Sequence, residues 1–361
     1  MNPSLVPGGA GEREVAGVAG SALRSAGLDV ELQEAAPGRP NVIGVLDGRL
    51  PGPTIMFCGH LDTVGVAGMT DPFLPRMVDG RLYGRGAQDM KGGVAAMIAA
   101  AALLAPAWTR GRLIVAAVVD EEHLSLGAEA LVREWRADMA VVTEPTDLRL
   151  AIGHKGFAWA DIVTHGRAAH GSRPDEGRDA IIRMGRVLVA LDARDRELRA
   201  RTAVPFQGTA SLHASIISGG RELSSYPDRC ALQMERRTVS GEDDAGVARE
   251  LDDLLARLRA DDSEFQGEAV VTAYRPAYRL DPSHALPVAI GRALTRAGLD
   301  PSPAGMSFWT DAAILADAGI PSMLFGPGGA GLHGLVEYVN VADVRVCRDV
   351  LVAATLALVN G

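Results

Sequence analysis

The chain has 361 residues, 47% of them hydrophobic and 22% charged, which excludes a disordered protein and predicts two domains in place of one large core. A formal net charge of −9 argues against nucleic acid or an anionic membrane as partner and suits a protein that gathers carboxylates around cations. Three cysteines, Cys58, Cys230 and Cys347, are odd in number, widely spaced and set among apolar residues, so a reducing cytoplasm is expected and a disulfide framework is not.

Met1 to Gly11 is rich in Pro and Gly and lacks the pattern of a signal sequence. The most apolar internal stretch, Val94 to Leu104, is shorter than the roughly 20 residues of a membrane span, so a soluble protein is expected. After a glycine turn at Gly8 to Gly11, Glu12 to Ala26 places Val15, Val18 and Leu23 at near-helical spacing and stops at Gly27. Strands at Val30 to Leu32 and Asn41 to Leu46 lead through Pro51-Gly52-Pro53 to the apolar run Ile55 to Cys58, which ends at Gly59. His60 and Asp62 follow at once. Alternate residues of a strand point the same way, so Asp62 can orient the His60 imidazole; a structural histidine before an Asp-Thr turn is the plain alternative.

A loop rich in Asp, Pro and Gly then runs to Gly84-Arg-Gly-Ala-Gln-Asp-Met-Lys-Gly-Gly93, whose glycines permit tight paths around Asp89 before a helix over Val94 to Leu104. No phosphate-loop pattern is present. The apolar strand Arg112 to Val119 ends in Asp120-Glu121-Glu122-His123. Three adjacent acids after a buried strand repel one another unless cations or donors lie among them, and the two glutamates point to different sides, suiting one ligand and one proton shuttle. A helix around Ala128 to Trp135 precedes strand Met139 to Val142, which ends at Thr143-Glu144-Pro145. Ligand crevices of open α/β sheets lie beyond the strand C-termini, so His60, Asp89, Glu121, Glu122 and Glu144 are predicted at one sheet edge.

The organisation changes at Gly153-His-Lys-Gly156. Strand Phe157 to Thr164, a helix from Arg178 to Ala200 with Ile181, Ile182, Met184, Val187, Leu188 and Leu191 as its apolar stripe, strands Ala210 to Ser218 and Cys230 to Thr238, a helix over Asp244 to Leu258 and strand Ala269 to Tyr274 give the β-α-β-β-α-β order of a ferredoxin-like domain. Alternation then resumes with helix Pro287 to Ala297, a short helix ending at Gly319, strand Ser322 to Phe325, a glycine-rich loop carrying His333, and helix Val341 to Leu358. Together His60, Asp89, Glu122, Glu144 and His333 form a nitrogen and oxygen set suited to zinc, cobalt or manganese over calcium. Two ions sharing Asp89 each gain two further ligands, and Glu121, beside a ligand, is the natural general base.

Gly-His-Leu-Asp-Thr-Val (59–64), Gly-Arg-Gly-Ala-Gln-Asp-Met-Lys-Gly-Gly (84–93), Asp-Glu-Glu (120–122), Thr-Glu-Pro-Thr (143–146), Gly-His-Lys-Gly (153–156), Ala-Ala-His (168–170) and His-Gly-Leu-Val-Glu-Tyr-Val (333–339) resemble, in order, the signature of the co-catalytic metallopeptidases that include acetylornithine deacetylase, succinyl-diaminopimelate desuccinylase, aminoacylase and glutamate carboxypeptidase. The resemblance implies an α/β fold, a central mostly parallel sheet covered by helices (zinc-exopeptidase-like), with an inserted ferredoxin-like α+β lid and dimerisation domain. The catalytic domain would comprise 1–153 and 279–361 and the lid 154–278. It further implies two divalent ions, most simply zinc: His60 and Glu144 on one, Glu122 and His333 on the other, Asp89 bridging, and a cis peptide between Asp89 and Met90. Asp62 would orient His60, Glu121 act as base, His170 reach the substrate carbonyl, commonly from the partner of a homodimer, and Arg237 bind the substrate carboxylate.

The chain departs from the family pattern at Ser224-Ser-Tyr-Pro227, where Asn-Val-Val-Pro is usual and Ser224 takes the asparagine's place; at Gly171 after His170; and in lacking a proline after Arg237. A leading helix that is short or absent is also expected. The implied activity is hydrolysis of the amide bond of an N-acyl amino acid or small peptide by a metal-activated water. An exopeptidase with the same centre and a catalytically silent binding homologue are the alternatives.

Overall fold

The computed structural model describes residues 11–66 and 68–360, so most of the glycine turn read at Gly8 to Gly11 lies outside the described residues. The chain divides into two compact units. The first contains the described residues up to Gly153, Leu280–Gly305 and those from Thr310 onward; the second contains His154–Arg279 and Met306–Trp309.

In chain order the first unit opens with α1 (Arg13–Ser25), β1 (Asp29–Ala36), β2 (Arg39–Asp47) and β3 (Leu50–His60). A hairpin of β4 (Arg76–Val78) and β5 (Arg81–Tyr83) stands where loop was expected. Its turn residues Asp79 and Gly80 both have positive φ, as a tight hairpin turn requires. Then come α2 (Gly92–Leu104), β6 (Arg110–Val118), α3 (Leu126–Glu134), β7 (Met139–Val142) and β8 (Leu150–His154). The last of these strands was not predicted: only Lys155 separates it from the next strand, so the two read as one change of pattern. The second unit holds β9 (Gly156–His165), α4 (Ala180–Arg199), β10 (Ser211–Gly219), β11 (Arg229–Thr238), α5 (Asp244–Asp261), β12 (Gln266–Arg275) and β13 (Tyr278–Arg279). The chain closes with α6 (Ala285–Arg296), β14 (Pro303–Met306), α7 (Ala312–Asp317), β15 (Ser322–Leu324), β16 (Gly329–Ala330), β17 (Tyr338–Asn340) and α8 (Val341–Asn360).

The large sheet of the first unit runs β1-β2-β6-β3-β7-β15-β8. It is parallel at its centre, through β6, β3, β7 and β15, and antiparallel at β1, β2 and β8. All four residues of β7 and the last six of β3 and β6 are buried, which is why they read as continuous apolar runs. The helix α2, apolar on every face, packs against α8, β3 and β6. A second small sheet, β16-β17-β5-β4, ties the chain near residue 80 to the loop after His333.

In the second unit four antiparallel strands run β10-β11-β9-β12, the ferredoxin-like order. β9 and β11 bury alternate residues under α4 and α5, around Ile162, Leu232, Met234, Val187 and Leu251. The stripe of α4 differs from the expected one: Met184, Val187 and Leu191 are buried, whereas Ile181 and Ile182 are exposed. The helix begins at Ala180, capped by Asp179, and Ala180, Met184, Val187 and Leu191 follow the period of 3.6, which turns Ile181 and Ile182 outward. β10, at the sheet edge, is exposed over its last seven residues.

Candidate metal centre

The parallel strands deliver their side chains to one edge. His60 is the last residue of β3 and is 1% exposed. Glu144, buried, follows β7, and Glu121 and Glu122 follow β6. Two glycines permit this crowding: a Cβ on Gly93 would lie 1.9 Å from the Thr143 carbonyl oxygen, and one on Gly326 would lie 2.1 Å from that of Glu144. Asp89 sits in the turn Ala87–Lys91 between Gly86, in a left-handed conformation, and α2; its peptide bond to Met90 is cis. His333, with φ of 57°, is 56% exposed at its side chain on the loop beyond β16.

The two oxygens of Asp89 face different histidines. Oδ1 is 3.0 Å from His60 Nε2 and Oδ2 is 3.3 Å from His333 Nε2. His60 Nε2 is also 3.9 Å from Glu144 Oε1, and His333 Nε2 is 3.1 Å from Glu122 Oε2. Thus His60, Asp89 and Glu144 form one donor group and Asp89, Glu122 and His333 another, each within 4.8 Å.

Asp62 is fully buried behind this edge. Its Oδ1 is 3.3 Å from His60 Nδ1, and its two oxygens accept the backbone N–H groups of Glu121 and Glu122, each at 3.1 Å. It therefore holds a histidine and the glutamate pair at once. Asp120, with φ of 67°, takes Arg39 Nη1 on Oδ1 at 2.6 Å and the backbone N–H groups of Leu124 and Leu126 on Oδ2; Arg39 in turn pairs with Glu12. The turn carrying Glu121 and Glu122 is thereby wrapped around one buried acid.

Charge at this edge is unbalanced. Burial pushes the Glu144 and Glu121 carboxyls well above the ordinary range, and neighbouring acids push them further: Asp89 and Glu122 for Glu144, Glu144 and Asp311 for Glu121. The Glu122 carboxyl is raised by burial against the hydrogen bond from His333. The histidines compensate. Hydrogen bonds to Asp89 and Glu122 raise His333 to about 10, and His60 is raised against the cost of its burial by Asp62 and Asp89. Burial lowers the Lys91 ammonium, which donates to the Asp62 carbonyl oxygen at 3.2 Å. A group of acids that keeps protons on its histidines has the charge and donors for divalent cations. Oxygen and nitrogen donors about 2.1 Å from such an ion stand roughly 3.0–3.5 Å apart, close to the spacing here. Buried Glu122 Oε1 has no hydrogen-bond partner among the described residues, a further oxygen suited to an ion.

The expected substrate contacts lie in the second unit and do not gather in one place. His170 is exposed; its Nδ1 accepts from the Ser172 backbone at 3.2 Å and lies 2.8 Å from the Ser172 hydroxyl. Exposed Ser224 is beside it, its carbonyl accepting from Gly171 N at 2.7 Å. Arg237, in contrast, is held at Nε by Glu235 Oε1 at 2.6 Å, with its guanidinium 5.7 Å from the Phe157 ring centroid. Arg229 pairs with His165 at one end of β9 and Arg237 with Phe157 at the other, roughly 26 Å apart at about 3.3 Å per residue. Ser224, in the loop between β10 and β11, and Arg237 therefore lie toward opposite ends of this sheet.

Sequence reading assigned no role to Glu337, Arg85, Arg39 or Lys91. Glu337 is 1% exposed and accepts from Arg85 Nη1 at 2.6 Å and from the backbone N–H groups of Gly86, Gln88 and Asp89 at 3.0, 2.9 and 3.1 Å. The motif around His333 contained it, but only the fold brings the loop of Asp89 to it.

The family described as Peptidase family M20/M25/M40 matches residues 56–357. The chain is 31% identical over 355 residues to an acetylornithine deacetylase from Myxococcus xanthus, covering 94% of this chain and 90% of that one. It is 28% identical over 357 residues to an N-formyl-4-amino-5-aminomethyl-2-methylpyrimidine deformylase from Bacillus subtilis, covering 89% and 84% respectively. In fold it is similar, at a TM-score of 0.78 and 17% identity, to an M20 metallo-carboxypeptidase from Sulfolobus solfataricus, covering 98% of this chain and 95% of that one. Matched over most of its length, with its strand ends converging on two donor groups that share one aspartate, the chain belongs to peptidase family M20/M25/M40.

Proposed function

We propose that this protein is a dinuclear metal-dependent amidohydrolase that frees an amine from its acyl group in an N-acyl amino acid or related small molecule. The observation that carries the reading is Asp89, whose two oxygens face His60 and His333 separately. His60 and Glu144 would hold one ion, Glu122 and His333 the other, and Asp89 both; the nitrogen and oxygen donors favour zinc, with cobalt or manganese as substitutes. Bound divalent ions supply an acidified water and polarise the amide carbonyl. Glu121, outside both donor groups, takes the water proton on its carboxylate and passes it to the departing amine. Relatives named as a deacetylase and a deformylase support an acyl group as the part removed.

Arg237 would bind the substrate carboxylate through its guanidinium fork. His170 accepts a backbone N–H on Nδ1, which leaves Nε2–H to donate to the substrate carbonyl. A dipeptide-sized substrate spans about 7 Å, far less than the length of β11, which supports the reading that the two residues reach one substrate from different lids. The reading is therefore a homodimer in which Arg237 serves its own centre while His170 and Ser224 serve the partner's. The exposed edge strand β10, with Ile216 and Ile217 exposed, and the outward Ile182 and Val189 of α4 support a second copy at this edge. Three buried free cysteines support a reducing compartment, the cytoplasm.

A panel of N-acetyl, N-formyl and N-succinyl amino acids beside dipeptides tests the function. Turnover of acylated amino acids supports it. Cleavage of dipeptides alone moves the protein to the exopeptidase reading, which its likeness in fold to a metallo-carboxypeptidase favours second. Two bound ions with no turnover of any substrate would make it a silent binding protein.

A further inference from the structure

Glu337 lies beyond the donor groups yet touches the backbone of the shared Asp89 and, through Arg85, the loop of His333. Its Oε1 accepts from Gln88 N and Asp89 N, and its Oε2 from Gly86 N and Arg85 Nη1. Arg85 Nη2 continues to the carbonyl of Gly334, next to His333, at 2.9 Å. Both members of the pair are buried, Arg85 at 4% exposure and Glu337 at 1%. A carboxylate that takes three backbone donors and a guanidinium is fully occupied, so it is spent on geometry and cannot be a ligand.

The two donor groups depend on this clamp unequally. His60 and Glu144 are buried at the ends of β3 and β7, fixed by the sheet. His333 stands on an exposed loop in the left-handed backbone region, which is unfavourable for a residue other than glycine and persists where surrounding contacts hold it. The Arg85 bond to Gly334 ties the backbone beside His333 to the turn carrying Asp89, in addition to the approach of His333 Nε2 to Asp89 Oδ2.

We infer that Glu337 is a positioning residue that makes the second metal site: through Arg85 it sets the register between Asp89 and His333, so that the Glu122–His333 ion is held only while the clamp is intact. This rests on the two-ion reading above.

The test is zinc titration by calorimetry of chelator-treated protein, for the wild type, Glu337→Gln and the double variant Arg85→Met/Glu337→Gln. The double variant removes the buried charge together with its partner, since an unpaired buried Arg85 alone can cost enough to prevent folding. Expected are two ions on the wild type and, on either variant that folds, a first ion weakened distinctly less than the second, which falls at least about 10-fold, the size of effect typical for residues behind metal ligands. Cobalt absorption should show the same loss of one site. Two ions bound with wild-type affinities in the double variant would overturn the inference. So would equal weakening of both sites, which marks a general structural role. A wild-type chain that binds no zinc overturns the two-ion reading itself, an outcome separate from either of these.

Discussion

Asp62 and Glu122 are joined by a hydrogen bond from the Glu122 backbone N–H to Asp62 Oδ2 at 3.1 Å, while the other oxygen of Asp62 takes the Glu121 N–H and lies 3.3 Å from His60 Nδ1. One buried carboxylate thus fixes a residue of each donor group and the proposed base. The expected role of Asp62, orienting His60, is the smaller part of what its position does.

Asp62→Asn should therefore damage both groups. The amide can accept at one position only, and its NH2 would face a backbone N–H that also donates, leaving a buried donor unsatisfied. We predict a 10- to 100-fold loss in zinc affinity or in kcat/KM, the range for residues behind metal ligands. Calorimetric titration and steady-state kinetics check it; a variant within about twofold of wild type would remove Asp62 from this role.

Zinc affinity should rise with pH. In the metal-free chain His333 is raised to about 10 by Asp89 and Glu122, and His60 is also raised, so both carry protons near neutrality that an incoming ion must displace. Protonation opposes binding below these values, so apparent affinity falls as pH falls. Titrations in buffers of different ionisation enthalpy at pH 7 should reveal release of at least about one proton per chain. Binding without proton release would contradict the charge balance described for this edge.

Much of this centre was legible in the sequence because its ligands follow apolar runs. β3, β6 and β7 are buried on both faces, so their ends stand out, and His60, Glu122 and Glu144 stand at them. Glycines around Asp89 marked its turn. What stayed illegible depends on partners distant in sequence. Glu337 binds backbone groups of residues 86–89, and Arg39 joins Glu12 to Asp120, contacts that no local pattern encodes. The hairpin of β4 and β5 is short, exposed along β4 and half-buried at the end of β5, with no apolar alternation to announce it. Ile181 and Ile182 were misread because an apolar residue at a helix start counts toward the stripe whichever way it turns.

The separation of His170 from Arg237 along the lid sheet gives a test of assembly. Mixing His170→Ala with Arg237→Ala subunits under exchange should restore about a quarter of wild-type activity. Half of the dimers are then mixed, and each mixed dimer has one site with an intact Arg237 and a partner's intact His170. Each variant alone should be nearly inactive. No recovery, with exchange demonstrated by mass-tagged subunits, would place both residues in one chain's site.

The most direct measurement of the central claim is anomalous X-ray scattering at the zinc edge from crystals grown with zinc. The account predicts two peaks flanking the Asp89 carboxylate, one against His60 and Glu144 and the other against Glu122 and His333. A single peak, or peaks away from Asp89, would contradict it.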